Sequence, residues 1–440
     1  MIRGARKVSR RMIPDSGLLR SSAIVLAGDS LARFLGFLFA VAAARLLTPA
    51  GYGRIAFALA LSAIVSVLTL NAPYGLSRFL ARHQGNDRVL EIYSTNWLVV
   101  IGLMLSASLT LLVPVALVAG LDGAMLFALI ANLLGTAVLQ TYRESQKGLG
   151  RLWATSTFWA LANLLELIGI LIAAAFGFRS PALYLAIYGL SSVWALALMQ
   201  PVAPTGLKFV RALITWRQVT AIARFVWPLI LQGIFYSVWV WADLILVHVW
   251  RPSAVGSYAV AKTFALVLIV PPTAIATALA PRMARLGEPA LRTYLRYVIG
   301  LTAAITVPLG AAMAFLGTPL IGLVFGSRYA LASAVVPILI LGQVLYGLYL
   351  VLASSWAWGL GRPQIDPVAT AAAMMVTIAV GLVLVPAAGL LGAALAYTAG
   401  AAAELAVIGG FTTWAIFAGA KPRVGHGREL VLDAERLVEA

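Results

Sequence analysis

Six ionisable side chains lie within long apolar runs of this sequence. They are Asp29, Arg33, Glu166, Asp243, Lys262 and Glu404. If these runs cross a bilayer, an ionised group at mid-depth costs roughly 2.5–3.5 kcal/mol even on lenient insertion scales, unless it faces protein or water. We therefore expect all six to face an interior. There, a carboxylate can take part in ion coupling and a cation can hold an anionic ligand.

Arg33 is the most informative of these residues. It lies about twelve residues into its apolar run, or roughly 18 Å at about 1.5 Å per helical residue, which is too deep for the side chain to reach the membrane surface easily. Because a guanidinium binds phosphate oxygens bidentately, Arg33 is a candidate anion ligand. The alternative is a simple ion pair with Asp29, which lies four residues earlier on the same helix face.

Three further cations have two interpretations each. Lys262 is about eight residues from the end of its run, so it either extends to the membrane surface or faces Arg33 across a cavity. Arg45 and Arg54 flank a break in the apolar sequence, Thr-Pro-Ala-Gly-Tyr-Gly. They are either interfacial anchors or the cationic rim of an outward-facing cavity.

The elements that carry these charges are predicted to be membrane-spanning helices. Hydrophobic residues make up 62% of the 440 positions and charged residues 11%, and the apolar runs are continuous rather than alternating, as helices in lipid require. We place twelve spans, at residues 21–44, 54–76, 93–119, 123–142, 153–177, 181–203, 225–249, 256–280, 297–320, 333–357, 366–387 and 391–418. The first run is expected to act as an uncleaved targeting signal.

The basic residues predict the orientation. Of the 32 lysines and arginines, 25 fall on the side of the two termini and five on the other, so the basic N-terminus (1–20) and the tail (419–440) should both be cytoplasmic. The positive net charge follows this membrane topology, and we expect no nucleic-acid partner. Residues 204–224 are predicted to form a cytoplasmic amphipathic linker helix on the anionic inner leaflet.

Several classes of chemistry are excluded or disfavoured. The sequence has no cysteine and only three scattered histidines, so we expect no metal site and no cofactor. The outer connections are too short for a catalytic domain and no phosphate-binding loop motif is present, so an enzyme or an ATP-driven pump is disfavoured.

The chain contains an internal repeat. Pro49, Gly53, Ala56 and Ala58 recur 203 residues later as Pro252, Gly256, Ala259 and Ala261, and the sequence Gly-Leu-Gly-Arg at 148–151 recurs at 359–362. These matches predict two six-helix bundles in the same orientation, residues 21–203 and 225–418.

The residues resemble a known family. Arg-x-Leu-Gly-Phe (33–37), Ala-Arg-Leu-Leu-Thr-Pro-Ala-Gly-Tyr-Gly (44–53), Arg78, Gly-Arg-Pro (361–363) and Gly-Leu-Leu-Gly-Ala-Ala-Leu (389–395) are similar to those of the O-antigen and exopolysaccharide flippases of the multidrug/oligosaccharidyl-lipid/polysaccharide exporter superfamily. The resemblance implies an all-α, V-shaped transporter with a central cavity in the bacterial inner membrane. It implies that the protein moves a polyprenyl-pyrophosphate-linked oligosaccharide to the outer leaflet by alternating access.

This resemblance gives the candidate residues their roles. The pyrophosphate ligands would be Arg33, Lys262, Arg45 and Arg54. Asp29, Asp243 and Glu166 are expected to line the cavity or to couple transport to protons or sodium, or else to hydrogen-bond neighbouring helices. Gln232, Tyr236 and Trp239 are expected to meet sugar rings in the cavity, where an aromatic face packs on CH groups. The expected partners are the lipid-linked oligosaccharide, membrane lipids and glycan polymerase or assembly proteins, with the chain acting as a monomer.

Three other functions remain open. A small-molecule cation antiporter of the same superfamily predicts an acidic aromatic cavity, against which Arg33 and Lys262 argue. A lipid II-type flippase is weakened because those relatives usually have fourteen spans. A scaffold within a glycan assembly complex leaves the intramembrane charges without a purpose.

Overall fold

The computed structural model describes residues 16–71, 73–83, 88–283, 288–359 and 364–417. No strand occurs among these residues, and twelve of their helical segments are long and apolar enough to cross a membrane. The predicted all-α polytopic fold with twelve spans is therefore confirmed. The N-terminal segment 1–15, the second copy of Gly-Leu-Gly-Arg and the tail 419–440 lie wholly or partly outside the described residues.

The first half contains six spans and one short helix between spans. Its helices are α1 (Ser16–Leu46), α2 (Pro49–Asn71), α3 (Tyr74–Arg82), α4 (Arg88–Ala107), α5 (Val113–Val118), α6 (Gly123–Gly148), α7 (Leu152–Ala175) and α8 (Pro181–Met199). A π-helical turn, Ser108–Leu112, joins α4 to α5 so that the two form one span. The short α3 is the only one of the eight that does not contribute to a span.

The second half repeats the six spans. Its helices are α9 (Trp216–Trp250), α10 (Val255–Leu266), α11 (Val270–Met283), α12 (Glu288–Val324), α13 (Ala330–Ser333), α14 (Val336–Ser354), α15 (Ile365–Ala388) and α16 (Leu390–Phe417). Within the eighth span, a 3₁₀ turn at Val267–Ile269 separates α10 from α11 just before Pro271 and Pro272, which have no backbone N–H to donate to the helix.

The two ends of the molecule differ in their connections. At one end, here called the short-connection face, the spans are joined by residues 47–48, 119–122, 176–180, 251–254, 325–335 and 389. At the other end, the basic face, the connections that the structure describes in full are residues 149–151 and 200–215.

The linker between the halves differs from the prediction of one amphipathic helix. Pro204 and the left-handed Gly206 (φ +70°) open it without helix, and a 3₁₀ turn follows at Arg211–Leu213. Helix begins only at Trp216, capped by the Thr215 hydroxyl, and continues without a break into the seventh span. The predicted apolar residues of its first turns pack against the first half, where Ile222 is 2% exposed beside α3 and α4.

The internal repeat lies at the contact between the halves. The two Pro-x-x-x-Gly turns face each other: a Cβ on Gly256 would lie 2.0 Å from the Pro49 carbonyl oxygen, and one on Gly53 would lie 2.9 Å from the Gly256 nitrogen. Only glycine permits this approach of two backbones. The repeated motif therefore builds both sides of one helix-to-helix seam near the short-connection face.

The halves also meet near the basic face. There, the start of α9 packs on α3 and α4, with Asn71 Nδ2 donating to the Leu229 carbonyl oxygen at 3.0 Å. On the opposite side, between α1 and α11, the halves are separated by a cavity.

Candidate functional site

The cavity of about 250 Å³ lies between α1 and the start of α7 in the first half and α11 in the second half. Asp29, Ser30 and Arg33 line its wall in the first half, and Thr273 and Thr277 line the facing wall. Both threonine hydroxyls donate to backbone carbonyl oxygens four residues earlier. Arg33 thus lines the cavity wall as an exposed cation.

Close packing of α1 on α7 fixes the position of this wall. Gly28 lies against Ser156, where an added Cβ would approach the Ser156 Cβ to 2.5 Å, and Gly36 lies against the Asn163 side chain. The Ser156 hydroxyl donates to Asp29 Oδ1 at 3.1 Å. The small residues of α1 thereby bring Asp29 and Arg33 next to side chains of α7.

Two side chains that sequence reasoning missed complete this cluster. The Arg143 guanidinium on α6 lies 3.5 Å from Asp29 Oδ1. Its carbon Cζ lies 4.5 Å from the centre of the Trp159 ring on α7, and that of Arg33 lies 5.6 Å from the same ring. Asp29 is therefore paired with Arg143 and not, as the alternative interpretation had it, with Arg33 on its own helix.

Arg143 was missed because its charge appeared to end the fourth span at residue 142. The helix instead continues to Gly148, so Arg143 lies inside the bundle with only 15% of its side chain exposed. The sequence did contain a signal that the helix continues past residue 142. Gln140 and Glu144 lie four residues apart, which is the spacing of neighbours on one helix face.

The structure does not place Lys262 on the cavity wall, and the predicted position opposite Arg33 is wrong. The Lys262 ammonium is 2% exposed and lies 2.6 and 2.7 Å from the two carboxylate oxygens of Asp243, within the same half. It also donates to the Val240 carbonyl oxygen and lies 4.6 Å from the Tyr397 ring. The reason is proximity, because α9 and α10 form a hairpin that brings Asp243 to Lys262.

Asp243 has a full set of partners. Besides Lys262, it accepts the Tyr258 hydroxyl at 2.6 Å and the Leu244 backbone N–H at 2.7 Å, and it is fully buried. A carboxylate so completely paired favours the second of the two predicted roles of Asp243, a hydrogen-bond partner of neighbouring helices.

Arg45 lies at the contact between the halves on the short-connection face. It donates through Nε to the Val324 carbonyl oxygen at 2.7 Å, and through Nη2 to that of Leu323, at the C-terminus of α12. In return, Arg328 donates to the carbonyl oxygens of Ala44 and Arg45 at the C-terminus of α1. The partial negative charge of each helix end favours the guanidinium of the other half.

We call Arg45, Arg328 and Tyr329 the arginine latch, since the Tyr329 hydroxyl also donates to the Ala44 carbonyl oxygen at 2.8 Å.

Arg54, in contrast, pairs within its own half, with Nη2 2.7 Å from Asp122 Oδ2. The backbone N–H of Met125, in the first turn of α6, donates to the Asp122 carboxylate. This bond and the Arg54 guanidinium hold the pKa of Asp122 below its usual value. Neither Arg45 nor Arg54 borders the cavity described above.

The remaining predicted residues lie apart from the cavity. Glu166 is buried and accepts the Ser191 hydroxyl at 3.3 Å, while its second oxygen has no donor among the described residues. Trp239 is fully buried and stacks on Tyr397 at 5.5 Å between ring centres, so it offers no face to a sugar. Tyr236 is 38% exposed and packs at its edge on Trp239.

Gln232 belongs to a second polar group that the sequence did not reveal. Its amide and the Tyr349 hydroxyl both donate to Asp366, at the start of α15. One turn further, the Thr370 hydroxyl bonds to buried Glu404 at 3.0 Å. The sequence did not point to Asp366 because this residue is the first of its predicted span, where a charge is typical of the span edge.

Solved structures with the same fold are transporters. A lipid II flippase MurJ, in an inward closed conformation, matches with a TM-score of 0.74 at 14% identity over 89% of this chain and 87% of that one. An inward-facing multidrug resistance MATE transporter of the MOP superfamily matches with a TM-score of 0.70 at 14% identity over 94% and 99%. A MOP-superfamily transporter from Pyrococcus furiosus, described as having a binding pocket of reverse polarity, matches with a TM-score of 0.61 at 15% identity over 95% and 96%.

Sequence comparison identifies the family more specifically than these folds do. No protein of curated function is similar to the chain at a significant level. A family model for polysaccharide biosynthesis proteins matches residues 42–334, about two thirds of the chain, from the end of α1 to α13. With its twelve spans and its transporter fold, the chain belongs to this family of polysaccharide biosynthesis proteins.

Proposed function

We propose that the protein is a flippase that moves a polyprenyl-pyrophosphate-linked oligosaccharide from the inner to the outer leaflet of a bacterial inner membrane. The observation that carries this proposal is the exposed guanidinium of Arg33 in a cavity between the two halves. An anionic headgroup that must leave water for the membrane interior needs a fixed cation of this kind. Membership of the polysaccharide biosynthesis family supports the oligosaccharide as cargo.

The proposal includes an orientation. With both termini in the cytoplasm, as the distribution of basic residues favours, the cavity between α1 and α11 opens toward the inner leaflet, where the lipid-linked oligosaccharide would be made. The short-connection face, closed by the arginine latch, is then the outer face. The lipid tail would remain in the bilayer while the headgroup enters between α1 and α11.

A cation antiporter fits the cavity less well. Such a transporter needs uncompensated acidic groups to attract its cargo. Here, the carboxylate at the cavity is Asp29, which is already paired with Arg143, and Arg33 adds a further positive charge. A lipid II-type flippase remains the second candidate because the fold of one such protein is similar to this one.

The test is the sidedness of lipid-linked oligosaccharides in cells that make the protein, lack it, or carry Arg33→Gln at matched expression. We expect the intermediates to stay in the inner leaflet both without the protein and with Arg33→Gln. The matched control is Arg179→Gln, which removes an exposed cation from the short-connection face and should leave translocation unchanged.

Other outcomes would redirect the proposal. If deletion traps intermediates and Arg33→Gln does not, the protein is a flippase with a different anion site. If deletion blocks cell-wall synthesis and leaves surface polysaccharide intact, the lipid II alternative is favoured. A deletion that changes neither, but lowers tolerance to organic cations, would establish an antiporter.

A further inference from the structure

The ion pair between Asp29 and Arg143 is incompletely satisfied. The shortest distance between the two groups is 3.5 Å, whereas a strong bond between a guanidinium and a carboxylate is about 2.7–2.9 Å long. Asp29 Oδ1 already accepts the Ser156 hydroxyl at 3.1 Å. The Arg143 Nε atom is buried and has no acceptor among the described residues.

This arrangement is unusual for a cation that is mostly buried. A guanidinium has five N–H donors, and donors left without an acceptor away from water destabilise a protein. Arg143 is 85% buried yet shares one carboxylate oxygen with a serine. The Lys262–Asp243 pair, with distances of 2.6 and 2.7 Å, shows a complete ion pair in the same chain.

Arg143 lies beside the residues of the cavity wall. Arg143 and the cavity residue Arg33 come from different helices, α6 and α1, and both lie over the Trp159 ring. Asp29, which contacts Arg143, is itself on the cavity wall. Two guanidiniums and one carboxylate therefore form a group with a net positive charge at the edge of the cavity.

We infer that Arg143 is a second ligand of the anionic headgroup, and that Asp29 is a built-in counter-ion which the pyrophosphate displaces from Arg143. This inference rests on the proposed function, since it concerns the same cargo. A pyrophosphate diester has two negative charges and several acceptor oxygens, which match two guanidiniums better than one carboxylate does. When the headgroup leaves, Asp29 returns to Arg143, so the carboxylate also competes for release.

The inference predicts opposite effects for the two partners. Arg143→Gln removes charge-assisted hydrogen bonds and should weaken binding of a pyrophosphate lipid by about tenfold or more. Asp29→Asn keeps an oxygen for Ser156 but removes the competing charge. It should therefore tighten binding several-fold and slow dissociation.

The experiment measures binding of farnesyl pyrophosphate, and of farnesol as the uncharged reference, to the full-length protein in nanodiscs of zwitterionic lipid. The variants are Arg143→Gln, Asp29→Asn and the control Arg179→Gln, with a thermal melt of each to verify folding. A second series in nanodiscs that contain phosphatidylglycerol shows whether anionic lipid headgroups occupy the same site. Loss of the difference between Asp29→Asn and wild type in that series would assign the site to phospholipid and overturn the inference.

The outcomes distinguish this inference from the proposed function. If wild type prefers farnesyl pyrophosphate to farnesol and the two variants shift affinity in opposite directions, the inference is supported. If wild type shows the preference but Arg143→Gln binds equally well, or Asp29→Asn weakens binding, Asp29 and Arg143 have a structural role and only the inference fails. If wild type does not distinguish the two lipids, the proposed substrate class fails and the inference fails with it.

Discussion

Two regions of this molecule place charged groups inside the membrane in different ways. In the sealed region, which comprises α10 and the ends of α1 and α12, Lys262 has a complete set of partners and the arginine latch joins the two halves through backbone carbonyls. At the cavity, Arg33 is exposed and Arg143 is incompletely paired. From this difference we expect a ligand to reach intramembrane charge at the cavity and not in the sealed region.

The largest effect is expected from breaking the sealed ion pair. Lys262→Met would leave Asp243 buried without its cation, and removal of one partner of a buried pair costs about 3–5 kcal/mol. We expect poor expression and a strongly lowered Tm in detergent. The matched control is the double variant Lys262→Met with Asp243→Leu, which removes both charges and should recover most of the stability.

The same double variant tests the comparison itself. If the pair is only structural, cells that carry the recovered double variant should translocate lipid-linked oligosaccharide as wild type does. A stable double variant that fails to translocate would show that the sealed region also takes part in transport.

The next largest effect is expected at the helix-to-helix seam where Gly53 and Gly256 meet. Gly256→Ala would place a Cβ 2.0 Å from the Pro49 carbonyl oxygen, so the backbones must separate, at a cost of about 1–3 kcal/mol typical of overpacking. The control Gly102→Ala has no atom within 4 Å of the added Cβ. Because alanine has a higher helix propensity than glycine, the Tm of Gly102→Ala, measured in parallel, should not be lower than that of wild type.

The arginine latch should have a smaller effect on stability and a clear effect on opening. Each hydrogen bond contributes about 0.5–1.5 kcal/mol net, so Arg45→Ala combined with Arg328→Ala should shift the population toward an open short-connection face. The chain has no cysteine, and Ala44 is fully buried, so a single Ala44→Cys reports opening by its reaction with a membrane-impermeant maleimide.

We expect labelling of Ala44→Cys to be faster without the latch arginines. Arg54→Ala is the matched control, because Arg54 lies on the same face but pairs within its own half. Equal labelling rates in all three backgrounds would show that the latch does not hold the face closed.

The smallest effect is expected at the exposed pair of Arg54 and Asp122. Since the pKa of Asp122 is lowered in the folded protein, its stabilising contribution is present at neutral pH and is lost as the pH falls through that lowered pKa. Asp122→Asn retains the helix cap but not the charge. It should therefore be slightly less stable than wild type at neutral pH, and the difference should disappear in acid, as unfolding of both proteins measured from pH 7 to pH 3 would show.

Parts of the site were predictable from the sequence and parts were not. The place of Arg33 far from the ends of its apolar run predicted its depth in the span, because the length of an apolar run follows the thickness of the bilayer. The location of Arg143 was not predicted, since a charge near the end of an apolar run looks like the start of a loop. Lys262 was assigned to the cavity because the sequence shows that a charge must be satisfied but not which residue satisfies it.

The sequence by itself determined the twelve helices, the internal repeat and the presence of charges that must face an interior, because the absence of water in lipid leaves the backbone few alternatives. Only the tertiary structure decided which of those charges form ion pairs with one another. The packing of helices selects the pairs: the α9–α10 hairpin brings Asp243 to Lys262, whereas Asp29 on α1 lies 3.5 Å from Arg143 on α6, whose Nε has no acceptor among the described residues. That choice depends on distances of a few tenths of an ångström between helices, which no pattern along one chain contains.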